Sequence, residues 1–334
     1  MRRLEPLFLI AAPLIIASCA ALAPHGPVDA GTMRRMNESM ITKAEFQQRL
    51  RSPELIASLK SPLNRVTLPF RMASGTPVID AGLGGDQKIE MMFDTGAARM
   101  MIHARTAAKH QIAVVRADEA QVSMLGVTGV ESGRLGFVRP LQLGEWKMQG
   151  YPCFIRTHEN RILGAQLPQN ILGFDLPSRT CSYVTIDYRK RVLTFAFRET
   201  FSPMADLKSS FAPMRITQGV PFIQVKAKGL SWPCLVDTGS FNGIEIDEAQ
   251  AKKLGVQDQG KLVEGLVLAA VGGTIRSEKA NLRTVTLDEI SLLGGKYPKA
   301  EVDISPGLPR VGSFFLRDYR VTFDFRRKRL WLEW

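Results

Sequence analysis

The chain has 334 residues, of which 45% are hydrophobic and 23% are charged, a composition that excludes a disordered or fibrous protein. Its formal net charge of +12 could attract an anionic surface, but no run of lysine and arginine is interleaved with aromatic residues as in nucleic-acid-binding modules. We therefore expect a solvated basic surface and no nucleic-acid partner.

The segment 1–18 is typical of a targeting signal. Arg2 and Arg3 precede an apolar run over 7–17, which is too short to cross a bilayer as a helix. The positions 16–18 and Cys19 resemble a bacterial lipobox. This predicts an exported, periplasmic protein that is anchored to the membrane through a lipid on Cys19. An ordinary signal peptide cut a few positions later is the alternative.

A tether and two short helices are predicted over residues 19–66. Thr42 and Glu45 have the spacing of a capping box, and Ser52-Pro53 is typical of the start of a second helix. We expect this segment to link the anchor to the folded domain. The alternative is a propeptide-like segment that covers a cleft.

From residue 67 onward, short apolar runs alternate with glycine, proline and asparagine turns, which predicts an all-β fold. The same unit occurs twice. One copy begins at Pro69 and the other at Pro213. An Asp-Thr-Gly motif follows each start at nearly the same distance, at Asp94 in the first copy and at Asp237 in the second.

Both copies end with a strand, an aspartate, a basic turn and another strand, over residues 184–195 and 321–332. The offset between the copies is slightly larger at the Asp-Thr-Gly motif than at the closing aspartates, Asp187 and Asp324, as expected for a duplication with loop insertions. The sequence thus predicts a first half over 67–200 and a second half over 201–334, with residues 200–210 as the link.

The repeated Asp-Thr-Gly motif carries the candidate chemistry. A single copy arises easily by chance, and two structural turns are the alternative explanation. Here each copy follows three apolar residues at an equivalent place in the duplicated unit. The two loops comprise Asp94, Thr95, Gly96 and Ala97 in the first half and Asp237, Thr238, Gly239 and Ser240 in the second.

A pseudo-twofold axis between the halves would bring Asp94 and Asp237 side by side. Two carboxylates that close cannot both ionise, so they share one proton. One carboxylate can then take a proton from water while the other gives a proton to a scissile carbonyl, as peptide hydrolysis requires. We expect Thr95 and Thr238 to hydrogen-bond across to the opposite loop, and the glycines to let backbone N–H groups approach the carboxylates.

The fourth loop residue predicts an asymmetric pair of aspartates. The Ser240 hydroxyl can donate a hydrogen bond to the neighbouring carboxylate, whereas Ala97 cannot. We therefore expect the resting negative charge on Asp237 and the shared proton on Asp94. If Arg310 approaches the site, it would reinforce the same preference.

At these residues the chain resembles the retropepsin-like aspartic peptidases, in the single-chain bacterial form with two fused halves, over about residues 67–334. The two Asp-Thr-Gly loops match the family's active-site loops, and residues 171–173 match its hydrophobic-hydrophobic-Gly loop. The Gly-rich segments that contain Gly129 and Gly273 lie where the family has flaps over the substrate. One departure is Arg310, which stands where the second copy should have an apolar residue.

The resemblance implies an all-β fold of two pseudo-symmetric β-barrel halves with the active site between them. It implies an aspartic endopeptidase that acts on extended peptides or proteins through activated water, with no covalent intermediate, cofactor or metal. The sequence itself also predicts no metal site, because the four histidines are scattered and no His/Cys ligand spacing occurs. Since both halves are on one chain, a monomer suffices for the active site.

Three cysteines follow the targeting segment, namely Cys153, Cys181 and Cys234, and the odd number leaves their disulfide state open. Cys234 stands in an apolar strand, where a buried inert thiol is expected.

Two alternatives to an active peptidase also stay open. One is a catalytically silent peptide-binding or inhibitory envelope protein on the same fold, and the other is a structural envelope lipoprotein without a peptide ligand.

Overall fold

The computed structural model describes residues 28–126, 129–157, 161–162, 165–166, 168–270 and 273–334. The predicted targeting segment and the lipidation site at Cys19 lie outside the described residues. The described chain is mostly β, which confirms the predicted fold class. In the part of the chain that the structure describes, none of the helices has the length and apolar character needed to cross a membrane.

The N-terminal segment contains the helical elements that the capping signals predict. Thr42 and Glu45 form a reciprocal capping box, and Ser52 caps the next helix, whose first residue is Pro53. An additional helix and a short strand precede them. The elements are α1 (Ala30–Asn37), β1 (Met40–Ile41), α2 (Lys43–Leu50) and α3 (Pro53–Leu59).

The first half follows directly. Its elements are β2 (Arg65–Pro69), β3 (Arg71–Ala73), β4 (Thr76–Gly82), β5 (Lys88–Asp94), β6 (Met101–His103), α4 (Ala104–Lys109), β7 (Ala113–Val115), β8 (Gln121–Gly126), β9 (Gly129–Val138), β10 (Leu141–Leu143), β11 (Trp146–Met148), β12 (Tyr151–Arg156), β13 (Arg161–Ile162), β14 (Ala165–Gln166), β15 (Asn170–Gly173), α5 (Asp175–Thr180), β16 (Tyr183–Asp187) and β17 (Val192–Ala196).

The second half repeats the pattern. Its elements are β18 (Ser209–Pro213), β19 (Arg215–Thr217), β20 (Val220–Ala227), β21 (Leu230–Asp237), β22 (Ile244–Ile246), α6 (Glu248–Leu254), β23 (Lys261–Leu262), β24 (Val267–Ala270), β25 (Gly273–Arg276), β26 (Arg283–Leu292), β27 (Gly295–Ile304), β28 (Arg310–Gly312), α7 (Ser313–Leu316), β29 (Arg320–Asp324) and β30 (Arg329–Glu333).

Each half has its own sheet around the strand that ends in the motif aspartate. In the first half β5 runs parallel to β15, which pairs antiparallel with β6, and β6 runs parallel to β12. In the second half β21 runs parallel to β28, which pairs antiparallel with β22, and β22 runs parallel to β27. The two halves therefore place equivalent strands around equivalent loops.

A six-stranded sheet joins the halves in the order β18-β30-β29-β16-β17-β2, with three strands from each half. Its central strands β16 and β29 are antiparallel, and Thr185 lies directly opposite Thr322. The two hydroxyls lie 2.8 Å apart. Because these threonines occupy equivalent positions of the repeat, the local pseudo-twofold axis passes between them.

The N-terminal segment is more than a tether, which corrects the prediction for residues 28–41. Strand β1 runs parallel to β7 at the edge of the first half's sheet, and Met36 of α1 is fully buried in the core. Asp29 caps α1 by accepting a hydrogen bond from the Thr32 N–H, and Asn37 accepts one from Arg134. The segment is thus a structural part of the first half.

Candidate active site

Both motif aspartates stand at the end of a buried strand, and a glycine lies beside each on the neighbouring parallel strand. Asp94 ends β5 opposite Gly173, and Asp237 ends β21 opposite Gly312. A Cβ atom on Gly173 would overlap the carbonyl groups of Arg99 and Ala97, and a Cβ on Gly312 would overlap those of the second loop. Only glycine therefore lets each active-site loop lie over the adjacent strand.

The two loops are hydrogen-bonded to each other through their threonines, as predicted from the sequence. The Thr95 hydroxyl donates to the Val236 carbonyl at 2.6 Å and accepts from the Thr238 N–H at 3.0 Å. The Thr238 hydroxyl donates to the Phe93 carbonyl at 2.7 Å and accepts from the Thr95 N–H at 3.0 Å. These four bonds are fully buried, so they fix the distance and orientation between the halves.

Backbone N–H groups hold each carboxylate within its own loop. The Gly96 and Ala97 N–H groups donate to Asp94 Oδ1 at 2.8 and 3.2 Å. The equivalent N–H groups in the second loop, those of Gly239 and Ser240, donate to Asp237 Oδ1 at 2.9 and 3.1 Å. Both carboxylates are thus anchored by one oxygen.

The motif glycines have a second role that the sequence analysis missed, because each one faces the aspartate of the opposite half. A Cβ atom on Gly96 would lie 2.5 Å from Asp237 Oδ1, and one on Gly239 would lie 2.5 Å from the carboxyl carbon of Asp94. The absence of these side chains allows the two carboxyl groups to lie next to each other, close enough for each to influence the pKa of the other.

The two carboxyl groups differ in acidity. Burial, the negative charge of Asp237 and the hydrogen bond to Asp237 raise the pKa of Asp94 well above its usual range. Burial also raises the pKa of Asp237, but the positive charge of Arg310 opposes that rise. The positive charge of Arg310 thus acts on Asp237, which lies beside it.

The role expected for the Ser240 hydroxyl is wrong, because Ser240 does not donate its hydroxyl to Asp237. The Ser240 hydroxyl donates to Glu245 Oε2 at 2.9 Å, and only its backbone N–H contacts Asp237. The backbone of Ala97 makes the equivalent contact to Asp94. The difference between serine and alanine therefore does not act directly on the neighbouring carboxylate.

Arg310 approaches the aspartate pair from below the second loop. Its Nη1 atom lies 3.8 Å from Asp237 Oδ2, and its Nε atom lies 3.1 Å from Glu245 Oε2 in an ion-pair contact outside hydrogen-bond geometry. Glu245 is a site residue that the sequence analysis missed. Comparing the two copies position by position would have found it, because Glu245 and Arg310 pair across β22 and β28 where the first half pairs Met101 with Ile171.

The two predicted flap segments form hairpins. Strands β8 and β9 pair up to Gly126 and Gly129, and strands β24 and β25 pair up to Ala270 and Gly273. Met124 of the first hairpin packs in a cluster with Ala97, which places the middle of this hairpin against the first active-site loop. The positions 127–128 and 271–272, at the tips, lie outside the described residues.

The three cysteines are free thiols in the structure. Burial raises the pKa of Cys153 and Cys234, and it raises the pKa of Cys181 to about 12. All three are thus protonated and unreactive at neutral pH. The described residues hold no cluster of three or more histidine, cysteine or acidic side chains that fits a metal ion.

Residues 79–176 match a family model described as aspartyl protease. The matched range includes the loop at Asp94 and the glycine at 173. Among solved structures, the chain is similar to an aspartic proteinase from Irpex lacteus, with a TM-score of 0.48 and 14% identity over 80% of this chain and 96% of that chain. The search of curated proteins found no match. The family match supports the resemblance to aspartic peptidases stated above.

Proposed function

We propose that the protein is an aspartic endopeptidase that hydrolyses extended peptide or protein substrates. The observation that carries the proposal is the juxtaposition of the Asp94 and Asp237 carboxyl groups between the halves, in two loops that are hydrogen-bonded to each other. Two structural turns would have no need of adjacent carboxyl groups, since burying them against each other is unfavourable.

The two carboxyl groups have complementary roles in the proposed reaction. The Asp237 carboxylate takes a proton from a water molecule, whose oxygen attacks the scissile carbonyl carbon. The Asp94 carboxyl gives its proton to the carbonyl oxygen, so a neutral tetrahedral diol forms. Asp237 then gives its proton to the amide nitrogen and Asp94 takes a proton from the diol, so the C–N bond breaks and both groups return to their starting states.

The rest of the site supports this chemistry without supplying reacting atoms. The threonine bonds between the loops hold the carboxyl groups at a fixed separation, as positioning for catalysis requires. The hairpins with Gly129 and Gly273 are the proposed substrate contacts. Because both aspartates come from one chain, a monomer contains the whole catalytic pair.

Replacing either aspartate tests the proposal. Asp94→Asn and Asp237→Asn should each reduce peptide hydrolysis by about 10³-fold or more, because each removes an acid or a base that the reaction needs. Hydrolysis of a peptide library would be measured between about pH 3 and pH 8, with and without a pepstatin-type inhibitor. Asp86→Asn, in an exposed turn, is the control.

Two outcomes would contradict the proposal. Residual cleavage near the wild-type rate in either variant would place the chemistry elsewhere. Peptide binding by the wild-type protein without cleavage at any pH would favour the catalytically silent binding protein instead. The exported, lipid-anchored location stays a prediction from Cys19, since that residue lies outside the described part of the chain.

A further inference from the structure

A buried ion pair lies beside Asp237. Arg310 and Glu245 have side chains that are 8% and 4% exposed, and Arg310 lies between Glu245 and Asp237. The Nη2 atom of Arg310 donates to the Pro306 carbonyl at 2.8 Å. The guanidinium group is thus fixed in position from two sides.

Three hydrogen-bond donors contact the Glu245 side chain. The Ser240 hydroxyl donates to Oε2 at 2.9 Å, and the Asn242 amide and the Ser305 hydroxyl donate to Oε1 at 2.9 and 2.7 Å. These contacts fix the position of Glu245 beside Arg310.

The first half has apolar side chains at the positions equivalent to Arg310, Glu245, Ser240 and Asp303. The residue equivalent to Ser305 is Arg156, which is buried in an ion pair with Glu131. Ile171 pairs with Met101 where Arg310 pairs with Glu245, and Ala97 stands where Ser240 stands. Phe154 lies beside Met101 where Asp303 lies beside Glu245. These four apolar residues form one cluster under the first loop. At these four positions the first half therefore has no counterpart of the Arg310–Glu245 pair.

The charged and titratable groups around Asp237 come from four strands and from the residue that follows a fifth strand. Asp94 ends β5, Arg310 begins β28, and Glu245 lies on β22. Tyr188 follows β16 and is neutral, because burial raises its pKa far above the neutral range. Asp303 lies on β27 behind Glu245. In this set the positive charge comes from Arg310.

We propose that Arg310, oriented by Glu245, is a positioning residue that localises the resting negative charge of the aspartate pair on Asp237 and leaves the proton on Asp94. Arg310 lies close enough to Asp237 for a strong Coulomb effect, and its contacts with Glu245 and Pro306 hold it beneath the loop. That Asp237 is then the group that activates water rests on the proposed function. The placement of the charge does not.

A titration of the two carboxyl groups tests the proposal without relying on activity. The full-length protein would be labelled with ¹³C at the aspartate carboxyl carbons, and the two signals assigned with Asp94→Asn and Asp237→Asn. In the wild type, Asp237 should titrate at the lower pH. Arg310→Ile should raise the lower apparent pKa by about 1 unit or more, since an opposite charge at this distance has an effect of that size.

Two further variants distinguish an electrostatic effect of Arg310 on Asp237 from an effect of its packing. Glu245→Gln should move the lower apparent pKa in the opposite direction, because it removes a negative charge near Asp237. The double variant Glu245→Met/Arg310→Ile copies the apolar pair of the first half and so keeps the site packed if Arg310→Ile fails to fold. It should raise the lower apparent pKa by less than Arg310→Ile does. Arg317→Met removes an exposed arginine of the same half and is the control.

The outcomes are distinct from those of the activity experiment. An unchanged lower apparent pKa in the double variant, or titration of Asp94 before Asp237 in the wild type, would overturn the proposal. If the protein is active, the acidic limb of its kcat/KM profile should shift with the same signs. If it cleaves no peptide but shows the expected titration, the proposed function fails while the role of Arg310 stands.

Discussion

The two halves share the backbone of the active-site loops and differ in the side chains beneath them. Under the first loop lies an apolar cluster that includes Ile171 and Met101, whereas under the second loop lie Arg310 and Glu245. The N–H groups that hold each aspartate are the same on both sides. Two copies of one scaffold can therefore give two chemically different carboxyl groups, through residues that do not belong to the motif.

Replacing half of the ion pair should have the largest effect on stability. Arg310→Ile leaves Glu245 buried without its counter-charge, which should lower the free energy of unfolding by about 3–5 kcal/mol. The double variant Glu245→Met/Arg310→Ile should lose much less, because an apolar pair of similar volume already serves in the first half. Urea unfolding at neutral pH measures both.

The losses of stability in Arg310→Ile and in the double variant show whether an apolar pair can replace the ion pair. The matched control is Ile171→Val, a small change in the apolar pair of the first half, with an expected loss of about 1 kcal/mol. If the double variant loses as much stability as Arg310→Ile does, an apolar pair cannot replace the ion pair under the second loop.

The inter-loop threonines should give equal effects in the two halves. Thr95→Val and Thr238→Val each remove a buried donor and leave an N–H of the opposite loop without its acceptor. Each should lower the free energy of unfolding by about 2–3 kcal/mol. Thr185→Val, whose hydroxyl pairs with the Thr322 hydroxyl in the joining sheet, should lose only about 1 kcal/mol. A large difference between the first two variants would contradict the symmetry of this contact.

Asp94 and Asp237 should contribute differently to the pH dependence of the free energy of unfolding. A carboxyl group whose pKa is raised by folding leaves the protein most stable below its unfolded pKa of about 3.9, and stability falls as the pH rises toward the folded pKa. Asp94→Asn should remove that loss, so the free energy of unfolding near neutral pH should rise by about 1–3 kcal/mol. Asp237→Asn should gain less, because Arg310 already compensates its charge.

Thermal unfolding of both variants and the wild type across the acidic range measures this difference. The gain of Asp94→Asn should vanish below about pH 4, where the aspartates of the unfolded chain are also protonated. An equal gain from Asp237→Asn would show that Arg310 does not distinguish the two groups.

Replacing Asp303 should have the smallest effect on the free energy of unfolding. Burial raises its pKa to about 6, the nearby Glu245 adds to the rise, and a hydrogen bond from Thr284 opposes it. Stability attributable to this group is therefore lost as the pH rises from about 4 to about 6. Asp303→Asn should raise the free energy of unfolding by about 1 kcal/mol above that range. The equivalent residue of the first half, Phe154, has no titratable group. The exposed Asp86→Asn should show no gain in the same unfolding series.

The repeat made much of the site predictable. Equivalent positions of Asp94 and Asp237 in a duplicated β unit were enough to predict two halves and a facing pair of loops. Arg310 was recognisable as a charge in an apolar position. The partner of the Ser240 hydroxyl was missed, although Glu245 lies only five residues further along the chain. The contact that local sequence does not encode is the one between Glu245 and Arg310, which pair across β22 and β28.

Helix α1 and strand β1 were missed for a similar reason. Residues 30–37 contain a glycine near the start and few apolar side chains, so their local helical signal is weak. What stabilises them is tertiary: Met36 lies in the core, and β1 adds to the edge of the first half's sheet.

The segment between β17 and β18 joins the two halves in one chain, and this has a consequence for how the site can vary. In an assembly of two identical subunits, any substitution appears on both sides of the axis at once. A cation under one aspartate would then be matched by a cation under the other, and their effects would cancel. Covalent linkage removes that constraint, because residues 171 and 310 are specified by separate codons. The unequal aspartates are thus a property that only the fused form of this scaffold can acquire by a single mutation.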